Sequence, residues 1–125
     1  MDDNINELSS SIIGAAIEVH KELGPGLLES AYEECLCLEL RDRGLTFERQ
    51  LSLPVQYKAH TINCAYRIDI LVQNTIVVEL KAVDRIEPIH KAQLLTYLKL
   101  SKKKLGLLIN FKVPFLKEGI VRLVN

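Results

Sequence analysis

Apolar residues recur at helical spacing from the start of the chain. Ile5, Leu8, Ile12, Ile13, Ala16, Ile17 and Leu23 predict an amphipathic helix over residues 5–22, and Leu23-Gly24-Pro25-Gly26 breaks it. A second helix is expected over 27–43, with Leu28, Ala31, Tyr32, Cys35, Leu36 and Leu40 on its apolar side and Gly44 at its end. The pattern then turns extended. Short stretches at 47–51 and 53–58 lie around Pro54, a longer one covers 62–72, and 75–83 is rich in β-branched residues, as buried strands are. Helical spacing returns after Pro88, over 89–101, and Lys102-Lys103-Lys104 ends it. The continuous apolar run 105–111 reads as a buried strand, and 120–124 as a last short one. The order α-α-β-β-β-β-α-β-β predicts an α/β (α+β) fold with helices packed on a mixed sheet.

Two of the expected interior strands carry charge: Tyr66-Arg67-Ile68-Asp69-Ile70-Leu71-Val72 and Ile76-Val77-Val78-Glu79-Leu80-Lys81-Ala82-Val83. An unpaired buried charge costs several kcal/mol or is neutralised by a pKa shift. Asp69, Glu79 and Lys81 are therefore expected to be paired, to hold a metal, or to line a cleft. Glu79 and Lys81 are two apart on a strand and share a face. Asp69 joins them only in one register. With Gln73-Asn74-Thr75 as a three-residue loop, Val72 faces Ile76, Asp69 faces Glu79 and Arg67 faces Lys81; a two-residue loop would turn Asp69 to the other face. Asn74 tolerates the left-handed backbone that such a loop needs. Two adjacent carboxylates repel unless a cation lies between them, and Mg²⁺ is held by as few as two. A salt bridge from Lys81 to Asp69 or Glu79 at a sheet edge explains the same residues without chemistry.

The length of 125 residues suits one domain, residues 1–125. With 48% hydrophobic residues the chain is too apolar for disorder, and no apolar run is long enough for a membrane span. The acidic, polar start Met1-Asp2-Asp3-Asn4 is unlike a secretory leader, so the cytoplasm is the expected compartment. Lys plus Arg and Asp plus Glu are both 16, so any contact with nucleic acid must rest on a local patch rather than on net charge. The odd count of cysteines, Cys35, Cys37 and Cys64, with no C-x-x-C pair, argues against a disulfide framework and a finger-type zinc site, and reduced thiols at buried or half-buried positions are expected.

Asp69…Glu79-Leu80-Lys81 resembles the D…(D/E)-x-K signature of the PD-(D/E)XK nuclease superfamily, with Ile68 where the signature has proline. Gly26-Leu27-Leu28-Glu29-Ser30-Ala31-Tyr32 matches the motif that names the GxxExxY family within it. The similarity runs from about Ile12 to Val124 and includes His20 to Gly26, Gln93 to Tyr97 and Gly106 to Phe111. The resemblance implies a single restriction-endonuclease-like core and a nuclease that hydrolyses phosphodiester bonds with Mg²⁺ or Mn²⁺. Asp69 and Glu79 would be its metal ligands, with Glu29 as a third from the helix ahead of the sheet, and Lys81 its catalytic lysine. Gln93 and Tyr97 look like the Q-x-x-x-Y element of RecB-like exonucleases. Four apart on a helix, they share a face from which Gln93 can brace the lysine and Tyr97 can contact a phosphate. The G-x-x-x-H box of those enzymes has only Ala16-x-x-x-His20 here, lacking the glycine.

Simpler roles compete residue by residue: capping for Glu29, packing for Tyr32, surface or capping positions for His20 and His90. Lys99, Lys102, Lys103 and Lys104 form a basic cluster that Lys112, Lys117 and Arg122 extend if the fold brings them near. Beside the carboxylates, Lys99 and Lys102 would bind the phosphate backbone. The partner implied is nucleic acid, DNA ahead of RNA, with a homodimer or a partner protein adding grip to a small neutral domain. The competing function class is a noncatalytic nucleic-acid-binding or assembly module that keeps the fold.

Overall fold

The computed structural model describes residues 3–63 and 66–125; Cys64 lies outside them. Helix α1 (Asp3–Leu23) ends at Gly24, whose φ of 72° suits glycine and whose N–H reaches the His20 carbonyl at 2.8 Å. Helix α2 (Glu29–Asp42) follows, and Gly44, φ 77°, turns the chain out of it. Strands β1 (Phe47–Ser52), β2 (Val55–Tyr57), β3 (His60–Ile62), β4 (Arg67–Val72) and β5 (Ile76–Lys81) come next. After helix α3 (Pro88–Ser101), β6 (Leu105–Asn110), a 3₁₀ turn (Leu116–Gly119) and β7 (Ile120–Val124) complete the chain. The fold is α+β, as expected. Its main sheet has the order β1-β4-β5-β6-β7, with β5 and β6 parallel across the α3 crossover and the other neighbours antiparallel.

One expected element divides in two. Of the stretch read as a single strand over 62–72, only Ile62 belongs to β3 (His60–Ile62), which pairs with β2 in a separate hairpin, and Arg67 to Val72 form β4, which joins the main sheet. Lys58, at φ 54°, makes the tight turn between β2 and β3. Pro54, which has no N–H for a ladder, separates this hairpin from β1.

The sheet is packed on both faces. On one, α1 and α2 cover Ile70, Val72, Ile76, Val78, Leu80, Leu105, Leu107 and Ile109. On the other, Leu94, Tyr97 and Leu98 of α3 cover Ile68, Leu71, Val77 and Leu108. Strands buried on both sides explain the unbroken apolar run of β6. At the end of β6, Gly119 lies so close to the Asn110 carbonyl that a Cβ there would come within 2.1 Å of it.

Along β5 the two faces alternate regularly. In β4 they do not: Ile68 and Ile70, two residues apart, lie in opposite cores. In β1, Phe47 packs against the first core and Leu51 against the second, although four residues separate them. Regular strands would keep each pair on one face. Both strands slip at the same level, between Arg49↔Ile70 and Leu51↔Ile68, which is where Gln50 meets Asp69. Gln50 carries the slip in its backbone, with a left-handed φ of 49° inside a strand.

Candidate active site

The hairpin register is the one the spacing predicts. That holds as far as Ile70: Val72 faces Ile76 and Ile70 faces Val78, while the expected ladder pairs Asp69 with Glu79 and Arg67 with Lys81 do not form. The loop uses two left-handed residues, Gln73 (φ 53°) and Asn74 (φ 52°), and the Thr75 N–H closes on the Val72 carbonyl at 2.9 Å. Beyond Ile70↔Val78 the ladder opens and side chains take its donors. The Asp69 N–H donates to Glu79 Oε1 at 3.0 Å, and the Leu80 N–H donates to Asp69 Oδ2 at 2.8 Å. The two carboxyl groups thus wedge β4 from β5 while satisfying the backbone groups they separate.

Glu79 is only 7% exposed. Burial first, and then the neighbouring Asp69 charge, push its carboxyl from an ordinary 4.5 up to about 9; Lys81 opposes the shift. A pair in this state takes up positive charge, either a proton or a cation. All its donors are oxygen, and two carboxylates are the usual protein share of a Mg²⁺ site, the rest being water and substrate phosphate. The residues therefore fit a hard divalent cation.

By strand alternation Glu79 and Lys81 project toward α3, the side on which Val77 packs. Among the described residues no ion pair or hydrogen bond holds the Lys81 ammonium, so the salt bridge that competed as an explanation is absent there. Just past Lys81, buried Asn110 takes the Val83 N–H at 3.0 Å and donates to the Val83 carbonyl at 2.9 Å, which pins the backbone leaving the site. Tyr97 lies on the same side. Burial raises its phenol pKa, Glu79 and then Asp69 add to the rise, and a hydrogen bond with Gln93 opposes it. The sheet and α3 thus gather Glu79, Lys81, Gln93 and Tyr97.

Glu29 approaches from the other side. It begins α2 and lines a recess with Glu33, Arg49, Gln50, Asp69 and Leu80. Asp69 sits at the gap between the two sides. Among the described residues no group of three or more His, Cys, Asp or Glu side chains comes together to hold a metal, so Glu29 does not complete a triad with Asp69 and Glu79. The α2 carboxylate tied to Asp69 is instead Glu33, one helical turn on. Gln50 Nε2 donates to Glu33 Oε1 at 2.8 Å and to Asp69 Oδ1 at 3.5 Å. Arg49 neutralises Glu33 through Nη2 at 2.9 Å and Nε at 3.2 Å, and reaches Glu34 at 2.8 Å. Sequence reading missed both residues. Helical spacing from Glu29 would have flagged Glu33; nothing marks glutamine for a left-handed backbone.

The basic cluster lies elsewhere. The parallel crossover returns α3 to the start of β5, where Leu105 pairs with Ile76. Lys102 caps the end of α3 there with a left-handed φ of 60°, and Lys103 donates to Asn74 at 3.1 Å. Lys99 and Lys102 thus stand at the opposite end of β5 from Glu79 and Lys81. Lys112 is at the carboxylate end, paired with Asp84 at 2.7 Å.

The remaining motif residues hold the scaffold. Tyr32 donates to the Gly24 carbonyl, accepts from the Leu27 N–H at 3.0 Å and stacks on Phe111 with centroids 4.3 Å apart. His20 Nε2 meets the Val113 carbonyl at 2.8 Å, and His90 caps α3 by accepting from the Glu87 N–H at 2.9 Å. Cys35 and Cys37 are free thiols, the second buried and pushed up to about 11 by that burial.

The family model described as PD-(D/E)XK nuclease superfamily matches residues 6–123. Comparison with curated proteins and with solved structures finds no match. The match covers nearly the whole chain and includes every residue gathered at the β4–β5 opening.

Proposed function

We propose that this chain, which belongs to the PD-(D/E)XK nuclease superfamily, is a metal-dependent nuclease of the GxxExxY type, acting on DNA ahead of RNA as a single cytoplasmic domain. The carrying observation is the opening between β4 and β5, where Asp69 and Glu79 meet and Lys81, two residues on, makes no ion pair or hydrogen bond among the described residues. Gly26, Glu29 and Tyr32, in the spacing that names that type, support the finer assignment. The free thiols support a reducing compartment, and no helix of the described residues is long and apolar enough to cross a membrane.

Asp69 and Glu79 would hold Mg²⁺ or Mn²⁺. Bound there, the cation supplies a Lewis acid for the phosphodiester and lowers the pKa of a water. Lys81 keeps its ammonium for the charge that develops on the phosphoryl oxygens, in a site whose buried Glu79 marks it as poorly hydrated. Gln93, which acts on the Tyr97 hydroxyl, would offer an amide N–H to a phosphate oxygen or its carbonyl to Lys81. Glu29, at the α2 terminus, adds negative charge on the far side of the gap, where a further water or cation would be oriented. Asn110 fixes the backbone that carries Lys81.

Cleavage of end-labelled single- and double-stranded DNA and RNA with Mg²⁺ and with Mn²⁺ tests the reading. Wild-type protein is expected to cut and to be silenced by EDTA. Glu79→Ala and Lys81→Ala, purified in parallel, are expected to lose at least 100-fold, roughly the loss of one strong electrostatic contact to a transition state. Cleavage that persists in both variants would overturn it. Folded wild type that neither cuts nor takes up Mn²⁺ in calorimetry would replace it with the noncatalytic module.

A further inference from the structure

Beside the carboxylates, on the α3 side, lies a cavity of about 520 Å³ whose walls include Val55, Tyr66, Ile89, Gln93, Tyr97 and Leu100. The volume is in the range of small-ligand pockets. Its lining holds no Lys, Arg, Asp or Glu, and its one histidine, His90, is occupied in capping α3. It does not suit a phosphate. Two of the four tyrosines of the chain meet in it, Tyr66 and Tyr97, with centroids 6.2 Å apart and rings tilted by 59°. Tyr66 is 44% exposed at the entry to β4, three residues before Asp69, and Ile89 is 70% exposed on the opposite wall. Gln93 adds an amide to the lining, one helical turn from Tyr97.

Tyr97, which lines the cavity, belongs to the same core as Val77, Glu79 and Lys81 follow Val77 on that face of β5, and the Glu79 and Asp69 charges both act on the Tyr97 phenol. A charged site for a phosphodiester thus adjoins a neutral, aromatic, apolar recess with one amide at its edge. A planar uncharged ring with hydrogen-bonding edges satisfies that recess, and the nucleotide carrying the scissile phosphate has one.

We propose that the Tyr66–Tyr97 cavity receives an unstacked nucleobase next to the bond cut at Asp69 and Glu79, and so selects single-stranded nucleic acid. The assignment rests on the nuclease reading above. A base inside a duplex cannot enter without being flipped, at a cost of a few kcal/mol. An unpaired base enters freely and gains stacking that every base can provide.

The test uses a single-stranded oligonucleotide and copies carrying one tetrahydrofuran abasic site, moved along the sequence. An abasic site beside the cleaved bond is expected to lower kcat/KM about tenfold, the middle of the range for one stacked base. Tyr66→Ala is expected to lose the same factor on the intact strand and nothing further on the abasic one. Tyr66→Phe, which keeps the ring, stays within about twofold of wild type, and thermal melting verifies that each variant folds. Equal cleavage of intact and abasic strands, or an undiminished Tyr66→Ala penalty on the abasic strand, would overturn the assignment. If wild type cuts nothing, the nuclease reading fails separately. The chain has no tryptophan, so tyrosine emission then decides: saturable quenching by a nucleoside monophosphate that Tyr66→Ala abolishes retains the base site, and its absence removes it. A dimer in sedimentation that Ile89→Asp dissolves would give the cavity to a second copy of the chain and overturn the assignment too.

Discussion

Gln50 is where local conformation and function conflict. A left-handed backbone costs a non-glycine residue about 1 kcal/mol or more, and such cost persists where the surroundings over-determine it. Here the return is an amide aimed at both Glu33 and Asp69. Gln50→Ala and Gln50→Gly both remove the amide, but only alanine keeps the strain. The glycine variant should therefore be more stable than the alanine variant by about 1 kcal/mol in urea unfolding, the reverse of the order in a regular strand. Both should bind Mn²⁺ about tenfold more weakly in calorimetry, the usual effect of removing a residue that orients a metal ligand. Glu79 makes a pH-dependent case. Below pH 4.5 its carboxyl is protonated in folded and unfolded chains alike. Between 4.5 and about 9 only the folded chain keeps the proton, so the unfolded chain gains by ionising and stability falls as pH rises; above about 9 the full cost is in place. Melting temperatures followed over that window should decline more steeply for wild type than for Glu79→Gln. Added Mn²⁺ should raise the wild-type melting temperature more at pH 9 than at pH 6, because the cation displaces the proton. Parallel pH curves for the two proteins would remove Glu79 as the titrating group.

At the scale of elements, the α1–α2 connection depends on one side chain. Tyr32 ties the loop at both ends, at Gly24 and Leu27, and stacks beneath on Phe111. Tyr32→Phe keeps the stack and loses both hydrogen bonds, so it should cost roughly 1–2 kcal/mol in urea unfolding and leave the carboxylate pair able to bind Mn²⁺. A loss of metal binding at unchanged stability would mean that the loop serves the site directly. How far these elements could be read from sequence follows from how local their causes are. Helix ends at Gly24 and Gly44, and the hairpin register from Val72↔Ile76 to Ile70↔Val78, are set by short-range rules of spacing and turn chemistry, and the structure agrees with them; the ladder expected to continue through Asp69 and Arg67 does not, because β4 slips there. The β2–β3 hairpin escaped because its turn uses Lys58 at positive φ, where glycine or asparagine would have signalled it. The slip at Gln50 escaped for the same reason. Tyr66 was legible only as an exposed aromatic beside a charged strand, and its meeting with Tyr97 depends on packing between elements far apart in sequence.

Across the whole molecule, charge is divided between the two ends of the sheet. The carboxylates occupy one end of β5, and Lys99, Lys102 and Lys104 gather at the other. The parallel β5–α3–β6 crossover dictates this, since α3 must run back along the sheet before β6 can begin. That constraint was available in the element order, and it separates the basic cluster from the chemistry by the length of β5, roughly 16 Å for its five residue steps. A net charge of zero then does not exclude a polyanion: on the proposed nuclease reading, the positive end would hold a strand that the carboxylate end cuts. The separation makes the effect of the lysines depend on substrate length. At the roughly 3.4 Å per nucleotide of a stacked strand, about five nucleotides span the distance. Lys99→Glu with Lys102→Glu should weaken binding of a twenty-nucleotide strand about tenfold, with a shallower dependence on salt. The same pair should leave a trinucleotide that covers only the carboxylates cut at the wild-type rate. Equal losses on long and short substrates would mean that the lysines act on the site itself rather than on the strand leaving it.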